Sequence, residues 1–274
     1  MARTELTLLG TAGGPGGHAG RAGIASLVTV GARHYLVDAG DAVSHQLARA
    51  GVGVGEVDRV VLTHLHDDHT AGLPGLTTFR HTMRRPPLTV HGPVGTARLR
   101  AGITAYLQTN TGIRGTESSL PPADAALEAV EYGVGLVHAD DDVTITAAEN
   151  THYALTAFEG AHRSYALRFD TSDRSIAFTG DTGPCEAVAE LARGCDILVC
   201  EMVTETDAAA VPPAVRAHMA AEHLSPEEVG RLAARADVGT VVLSHYTRAS
   251  ADDLAEIARQ FSGTIVAGED LMVL

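Results

Sequence analysis

Short apolar runs alternate with turn residues along the first third of the chain. The runs at residues 5–9, 25–30, 34–37 and 60–62 are bounded by glycine and aspartate, which is typical of β-strands. Residues 42–50 have helical spacing that stops at Gly51. The pattern predicts a sheet whose strands are interrupted by a helix.

The rest of the chain continues this alternation. Further strands are predicted at residues 88–90, 129–132, 143–147, 165–169, 175–178, 196–200, 240–243 and 264–267, with helices at 95–106, 184–193, 225–236 and 251–260. Residues 107–125 are rich in Thr, Gly, Ser and Pro and predict an irregular segment. Ser225 followed by Pro226 suits a helix N-cap and first helical position. Because no linker divides this pattern, we expect one α/β domain over residues 1–274.

Composition narrows the class of protein. The chain has 274 residues, 45% of them apolar, and no apolar run long enough for a membrane span, so a globular fold is expected. A polar start unlike a signal peptide and an odd number of cysteines, three, predict free thiols and a cytoplasmic location. The net charge of −14 disfavours a nucleic-acid partner, although a local basic patch would outweigh it. The absence of Lys excludes Schiff-base chemistry, and also a P-loop in the glycine-rich segment at residues 10–17.

The segment from His64 to His69 carries the chemistry. Its sequence, His-Leu-His-Asp-Asp-His, directly follows an apolar run. Imidazole and carboxylate groups bind divalent metals, and His64 and His66 point the same way on extended backbone. Asp68 and His69 come after the chain has turned and can face a second ion. Two metal ions are therefore predicted to share a site here.

Three further candidate ligands, His152, Asp181 and His245, each follow a predicted strand. This is how a sheet presents a site at its edge. His162 competes with His152, because both lie between two predicted strands, but His152 is closer to a strand end.

Together these residues resemble the metallo-β-lactamase fold superfamily, and within it the ribonuclease Z-like metallo-hydrolase branch. The matching segments are His64-x-His66-x-Asp68-His69, Val37-Asp38-Ala39-Gly40, Thr179-Gly180-Asp181-Thr182, Ser244-His245, Leu9-Gly10-Thr11 with Arg21, His91-Gly92-Pro93-x-Gly95 and Glu222-His223. The resemblance implies a four-layer αββα sandwich of two mixed β-sheets flanked by helices, and it suggests a homodimer.

The resemblance also implies roles for single residues. His64, His66 and His152 would hold one zinc ion, Asp68, His69 and His245 a second, and Asp181 would bridge them, with manganese or iron as alternative metals. A water or hydroxide between the metals would be the nucleophile, and Asp68 would orient it or take a proton from the water. His223 would assist the scissile group as proton donor or charge stabiliser, unless it is a surface or helix-capping histidine. Asp38 would support a ligand, and Asp67 would occupy the free position of the motif.

The implied activity is hydrolysis of a small ester-like substrate. A phosphodiester comes first, and a lactone, thioester or sulfate ester are the alternatives. Only residues 153–180 separate His152 from Asp181, which leaves no room for the basic arm with which members that process transfer RNA grip it. A ribonuclease Z-type RNA endonuclease is therefore less favoured. A non-catalytic binding module is also less favoured, because every implied metal ligand is present. An iron–flavin redox enzyme would need a Glu that the motif lacks.

Overall fold

The computed structural model describes residues 3–16, 18–154 and 162–274, whose strands form two seven-stranded sheets. The first sheet contains, in chain order, β1 (Thr4–Gly10), β2 (Ala25–Val30), β3 (Arg33–Val37), β4 (Arg59–Val61), β5 (Leu88–Gly92), β6 (Leu127–Glu131) and β14 (Met272–Val273). The second contains β7 (Gly135–Ala139), β8 (Val143–Glu149), β9 (Tyr165–Thr171), β10 (Ser175–Phe178), β11 (Ile197–Cys200), β12 (Thr240–Leu243) and β13 (Thr264–Ala267). The spatial orders are β14-β1-β2-β3-β4-β5-β6 and β13-β12-β11-β10-β9-β8-β7.

Each sheet changes from antiparallel to parallel pairing in its middle. In the first sheet the pairs from β14 to β3 are antiparallel and those from β3 to β6 are parallel. In the second, the pairs from β7 to β10 are antiparallel and those from β10 to β13 are parallel. The predicted mixed sheets are confirmed. Open sheets of this kind bind ligands beyond the carboxyl ends of their strands.

Helices pack on both sheets or connect their strands. They are α1 (Val43–Arg49), α2 (Asp67–Thr70), α3 (Leu73–Thr82), α4 (Thr96–Glu117), α5 (Glu186–Leu191), α6 (Glu205–Ala210), α7 (Pro213–Glu222), α8 (Pro226–Ala236) and α9 (Ala251–Gln260). One apolar core, including Tyr35 and Phe169, lies between the sheets. A second packs α1, α3 and α4 on the first sheet, and a third packs α5, α8 and α9 on the second. These three cores confirm the predicted four-layer αββα sandwich.

Local sequence signals explain the regular C-terminal quarter. The hydroxyl of Ser225 accepts a hydrogen bond from the Glu228 backbone N–H, and Ser250 does the same for Asp253. Such caps satisfy N–H groups that have no partner inside the helix, which fixes the starts of α8 and α9. The predicted helix at 251–260 and the strands at 240–243 and 264–267 are confirmed.

The prediction of irregular structure over residues 107–125 is wrong for its first part, because α4 continues to Glu117. Ile103 and Leu107 are buried on the first sheet and hold this helix, although Gly112 and Gly115 each cost about 1 kcal/mol of helix propensity. Helix α3 was not predicted, because Pro74 resembles a turn residue. Proline is in fact tolerated in the first turn of a helix, where its missing N–H costs nothing.

The three cysteines, Cys185, Cys195 and Cys200, are free thiols, as predicted. Of the helices in the described ranges, none has the length and apolarity that crossing a membrane requires.

Candidate metal centre

Loops that follow the strands bring all seven predicted donor residues to one edge of the sandwich. His64 and His66 follow β4, and α2 carries Asp68 and His69 directly afterwards. The remaining donors, His152, Asp181 and His245, follow β8, β10 and β12. They form a first group (His64, His66, His152) and a second group (Asp68, His69, Asp181, His245), and the donor atoms within each group lie within 4.8 Å of one another.

The first group consists of three imidazoles. His66 Nδ1 lies 3.2 Å from His64 Nε2 and 3.1 Å from His152 Nε2. Two nitrogen ligands bound tetrahedrally to one zinc ion at 2.0–2.1 Å would lie about 3.3 Å apart. The spacing of these nitrogens therefore matches ligands of a common ion.

The second group combines imidazoles with carboxylates, and Asp181 connects it to the first. Asp181 Oδ1 lies 3.3 Å from His69 Nε2 and 3.4 Å from His245 Nδ1. Its other oxygen, Oδ2, lies 3.9 Å from His64 Nε2 and 3.8 Å from His152 Nε2. Asp68 Oδ2 is 3.1 Å from His245 Nε2. One carboxylate thus faces both groups.

Unpartnered buried atoms indicate that the cluster suits a cation. His69 Nε2, Asp181 Oδ1 and His245 Nδ1 are buried and have no hydrogen-bond partner. An unmet buried donor or acceptor costs about 1–3 kcal/mol, so such atoms rarely persist without a role. All three face one another, and a divalent ion between them would satisfy them at once.

The electrostatics of the two groups differ. Burial lowers the pKa of His152 to about 3 and that of His64 well below its usual value, so both rings are neutral with a free lone pair, as metal binding requires. Burial alone would also lower the pKa of His69, but the carboxylates of Asp181 and Asp38 raise it well above its usual value. The second group therefore attracts positive charge.

Hydrogen bonds fix which nitrogen of each ring faces the cluster. His69 Nδ1 lies 2.8 Å from Asp38 Oδ2, and His64 Nδ1 lies 3.1 Å from Thr63 Oγ1, which in turn donates to Asp38. His152 Nδ1 donates to the backbone carbonyl of Glu222. Such partners orient the imidazoles of metal sites. Asp38, which follows β3, lies where the resemblance implied it.

A pair of side chains, His223 and Glu201, lies next to the first group. His223 Nδ1 is 2.8 Å from Glu201 Oε2, and the His223 ring lies 4.9 Å from the ring of His152. Burial opposes protonation of His223, but the charge of Glu201 and its hydrogen bond raise the pKa to about 9. Glu201 was missed in the sequence, although it follows the apolar strand β11 as the other candidates follow theirs.

The glycine-rich loop passes directly beside the second group. A Cβ on Gly13 would lie 2.8 Å from the His245 carbonyl carbon, so only glycine fits there. His245 itself has a φ of 52° and Asp38 a φ of 57°, in the left-handed region that non-glycine residues rarely adopt. Neighbouring contacts must hold both residues in place.

Residues considered as alternatives lie elsewhere. Asp67 occupies the first turn of α2, where it accepts a hydrogen bond from the Asp68 N–H, and His162 lies near Gly95; neither belongs to a donor group. Arg80 is buried and donates to the carbonyls of Val54 and Val57, which makes it a structural residue.

Comparison with known proteins agrees with this geometry. The family model described as "Beta-lactamase superfamily domain" matches residues 33–246. This chain belongs to the beta-lactamase superfamily. A ribonuclease Z from Mycobacterium avium (strain 104) is 34% identical to it over 276 residues, which cover 97% of this chain and 96% of the relative. The predicted membership of the superfamily and of its ribonuclease Z-like branch is confirmed.

Solved structures of the superfamily share the fold across the whole chain. The metallo-beta-lactamase fold protein YhfI from Bacillus subtilis superposes with a TM-score of 0.77 at 21% identity, covering 100% of this chain and 99% of that one. A diphosphatase from the PhnP family has a TM-score of 0.68 at 18% identity, covering 99% and 96%. As a member of the beta-lactamase superfamily, the chain is a metal-dependent hydrolase, and its His/Asp cluster offers the ligand types that a divalent metal requires.

Proposed function

We propose that this chain is a dinuclear zinc hydrolase that cleaves a small phosphodiester. The observation that carries the proposal is the carboxylate of Asp181, which faces the first group with one oxygen and the second with the other. In this assignment His64, His66 and His152 would hold one ion, Asp68, His69 and His245 would hold the other, and the carboxylate of Asp181, which faces both groups, would be shared between them. Imidazole-rich sites suit zinc, whereas the carboxylates of the second group also admit manganese or iron.

Divalent ions held by these residues would lower the pKa of water from about 15.7 to roughly 7 and so supply a nucleophile at neutral pH. Asp68 would accept a hydrogen bond from that water and orient it. Burial would raise the pKa of Asp68, but His245 and His69 lower it to about 2, so the carboxylate is ionised at neutral pH and acts as an acceptor.

His223 donates the proton that the leaving oxygen needs. Its Nδ1 is hydrogen-bonded to Glu201, which leaves Nε2 for the substrate, and its ring lies next to His152. General acids of this kind contribute roughly 10²–10⁴ to the rate. Glu201 thereby acts as the positioning residue of the acid.

Surface charge supports a small substrate over a long polyanion. A cavity of about 850 Å³ is lined by Thr247, two residues after His245, and by residues at the starts of α6, α8 and α9. The charged side chains that line it are Glu205, Asp207, Glu227, Asp252, Asp253 and Glu256, together with Arg248 and Arg259. This excess of carboxylates repels a phosphate backbone. One structurally similar protein is named a diphosphatase, and an enzyme of that name also cleaves a bond at phosphorus.

Cleavage of RNA is the second candidate function. It is favoured by one observation, the 34% identity to a protein named ribonuclease Z along nearly the whole chain.

A substrate screen of the metal-loaded protein tests both candidates. We expect bis(4-nitrophenyl) phosphate to be hydrolysed faster than chromogenic sulfate, lactone and thioester substrates, with loss of activity on chelation and recovery on addition of zinc. A short RNA with a 3′ extension is the competing substrate. Faster cleavage of the RNA would favour the second candidate, and turnover of the lactone or thioester alone would contradict both.

A further inference from the structure

The side chain of Arg21 joins two segments beside the second group. Its Nη1 donates to the backbone carbonyls of Tyr246 at 2.5 Å and Thr247 at 3.0 Å, directly after His245. Its Nη2 donates to the carbonyl of Thr11 at 2.6 Å, and its Nε to the Thr11 hydroxyl at 3.1 Å. The guanidinium also lies 4.3 Å from the centre of the Tyr246 ring. A planar fork of donors is the group that can satisfy all of these partners together.

Thr11, which accepts hydrogen bonds from Arg21, is itself held in place by further hydrogen bonds. Asp270 Oδ1 accepts hydrogen bonds from the Thr11 N–H and hydroxyl, and Oδ2 accepts one from the Ala22 N–H. Gln46 donates to the same carboxylate. Thr11 therefore offers Arg21 a rigid anchor rather than a mobile loop.

The turn at residues 245–247, which Arg21 connects to Thr11, is under backbone strain. His245 has a left-handed φ of 52°, a conformation that costs a non-glycine residue of order 1–3 kcal/mol and persists only when its surroundings impose it. The Tyr246 N–H donates to Thr11 at 3.3 Å, so the turn after β12 is bonded to the Thr11 carbonyl both directly and through Arg21. Without the guanidinium, two carbonyls of this turn lose their donor.

We propose that Arg21 is a positioning residue for the second metal: it holds the turn at residues 245–247 so that His245 points at Asp68 and Asp181. The inference rests on the proposed function, in which His245 is a ligand of that metal. Arg21 touches neither the donor atoms nor the substrate in this scheme. Its loss weakens the binding of one of the two ions and leaves the other in place.

The test measures the two metal affinities separately. Arg21→Gln, Arg21→Lys, His245→Ala and the wild-type protein are titrated with zinc against chelators of graded strength, and with cobalt to follow the visible spectrum of each site. We expect Arg21→Gln to weaken the second ion by roughly 10–100-fold, the usual effect of losing a supporting contact, with the first ion unchanged. Arg21→Lys should restore part of this loss, because one ammonium reaches the turn or Thr11 but not both.

Arg80→Gln is the matched control, since Arg80 also donates to backbone carbonyls but lies on α3, away from the donor groups. It should lower the melting temperature and leave both affinities unchanged. Loss of the second ion in His245→Ala but not in Arg21→Gln would overturn the inference alone. Retention of both ions in His245→Ala would overturn the ligand assignment itself. If Arg21→Gln is insoluble, Arg21→Lys against Arg80→Lys gives the same comparison.

Discussion

The two donor groups differ in what they need from the fold. The first group takes two of its three imidazoles from one extended segment after β4 and adds His152 from one other loop. The second draws on α2 and on the ends of β10 and β12, and its His245 has a strained backbone. Both groups therefore depend on the packing of the two sheets, but the first joins two segments of the chain whereas the second joins three. We expect the second ion to be the weaker and more exchangeable one.

Asp181→Ala should impair both groups, because this carboxylate faces both. Two electrostatic contributions to the rate, each a factor of about 10²–10³, would be lost. We therefore expect turnover to fall by about 10⁴–10⁶-fold and both groups to lose their metal ion. Steady-state kinetics and elemental analysis measure this. Asp173→Ala, before the start of β10, is the control and should keep both ions; retention of both in Asp181→Ala would contradict the bridging role.

His66→Ala and His245→Ala should each remove the metal ion of one group only. Each should lower turnover by about 10³-fold or more, because one electrostatic stabiliser of the reaction is removed. His66→Ala should lose the ion of the first group and His245→Ala that of the second, with different cobalt spectra for the ion that remains. Identical spectra in the two variants would show that the donors do not divide as the distances indicate.

His223→Ala should affect the rate without touching either group. We expect a fall of roughly 10²–10⁴ in kcat with both ions bound, since the ring acts on the leaving oxygen. His218→Ala, on the neighbouring helix α7 and paired with Glu222, is the control. An unchanged kcat would show that His223 does not act in the reaction and has a structural role only.

Asp38→Asn should selectively weaken metal binding by the second group, and its effect should be the smallest among these substitutions. Asparagine tolerates the left-handed φ of 57° at this position, and its Oδ1 can still accept from the Thr63 N–H, but its amide nitrogen cannot accept from His69 Nδ1. We expect about 10–100-fold weaker binding of the second ion. Asp58→Asn, before β4 and bonded to the His34 N–H, should leave metal affinity unchanged.

The sequence predicted the parts of the site that depend on local spacing. The segment from His64 to His69 was found because its four candidate ligands directly follow an apolar strand and lie within six positions. His152, Asp181 and His245 were found because each follows a predicted strand. The assignment of His152, Asp181 and His245 to one ion or the other came only from the resemblance to a known family, since spacing along the chain does not give distances between loops. Glu201 carried the same strand-end signal and was still missed, because a single carboxylate after a strand is common.

The fold was predicted best where capping and periodicity agree, as in α8, β12 and α9. It was predicted least well for α3 and α4, where proline and glycine suggested turns although packing on the first sheet stabilises the helices. Tertiary contacts outweigh local propensity in such segments.

Asp38 and Asp181 follow β3 and β10, the strands at which each sheet changes from antiparallel to parallel pairing. The two halves of the sandwich thus share one pattern of strand pairing, although β14 takes the outer place in the first sheet. His69 lies between the aspartates that follow these two strands, one from either half. A single open sheet would offer ligands to a metal ion from one side only. The two sheets of this sandwich would enclose the ion from two sides.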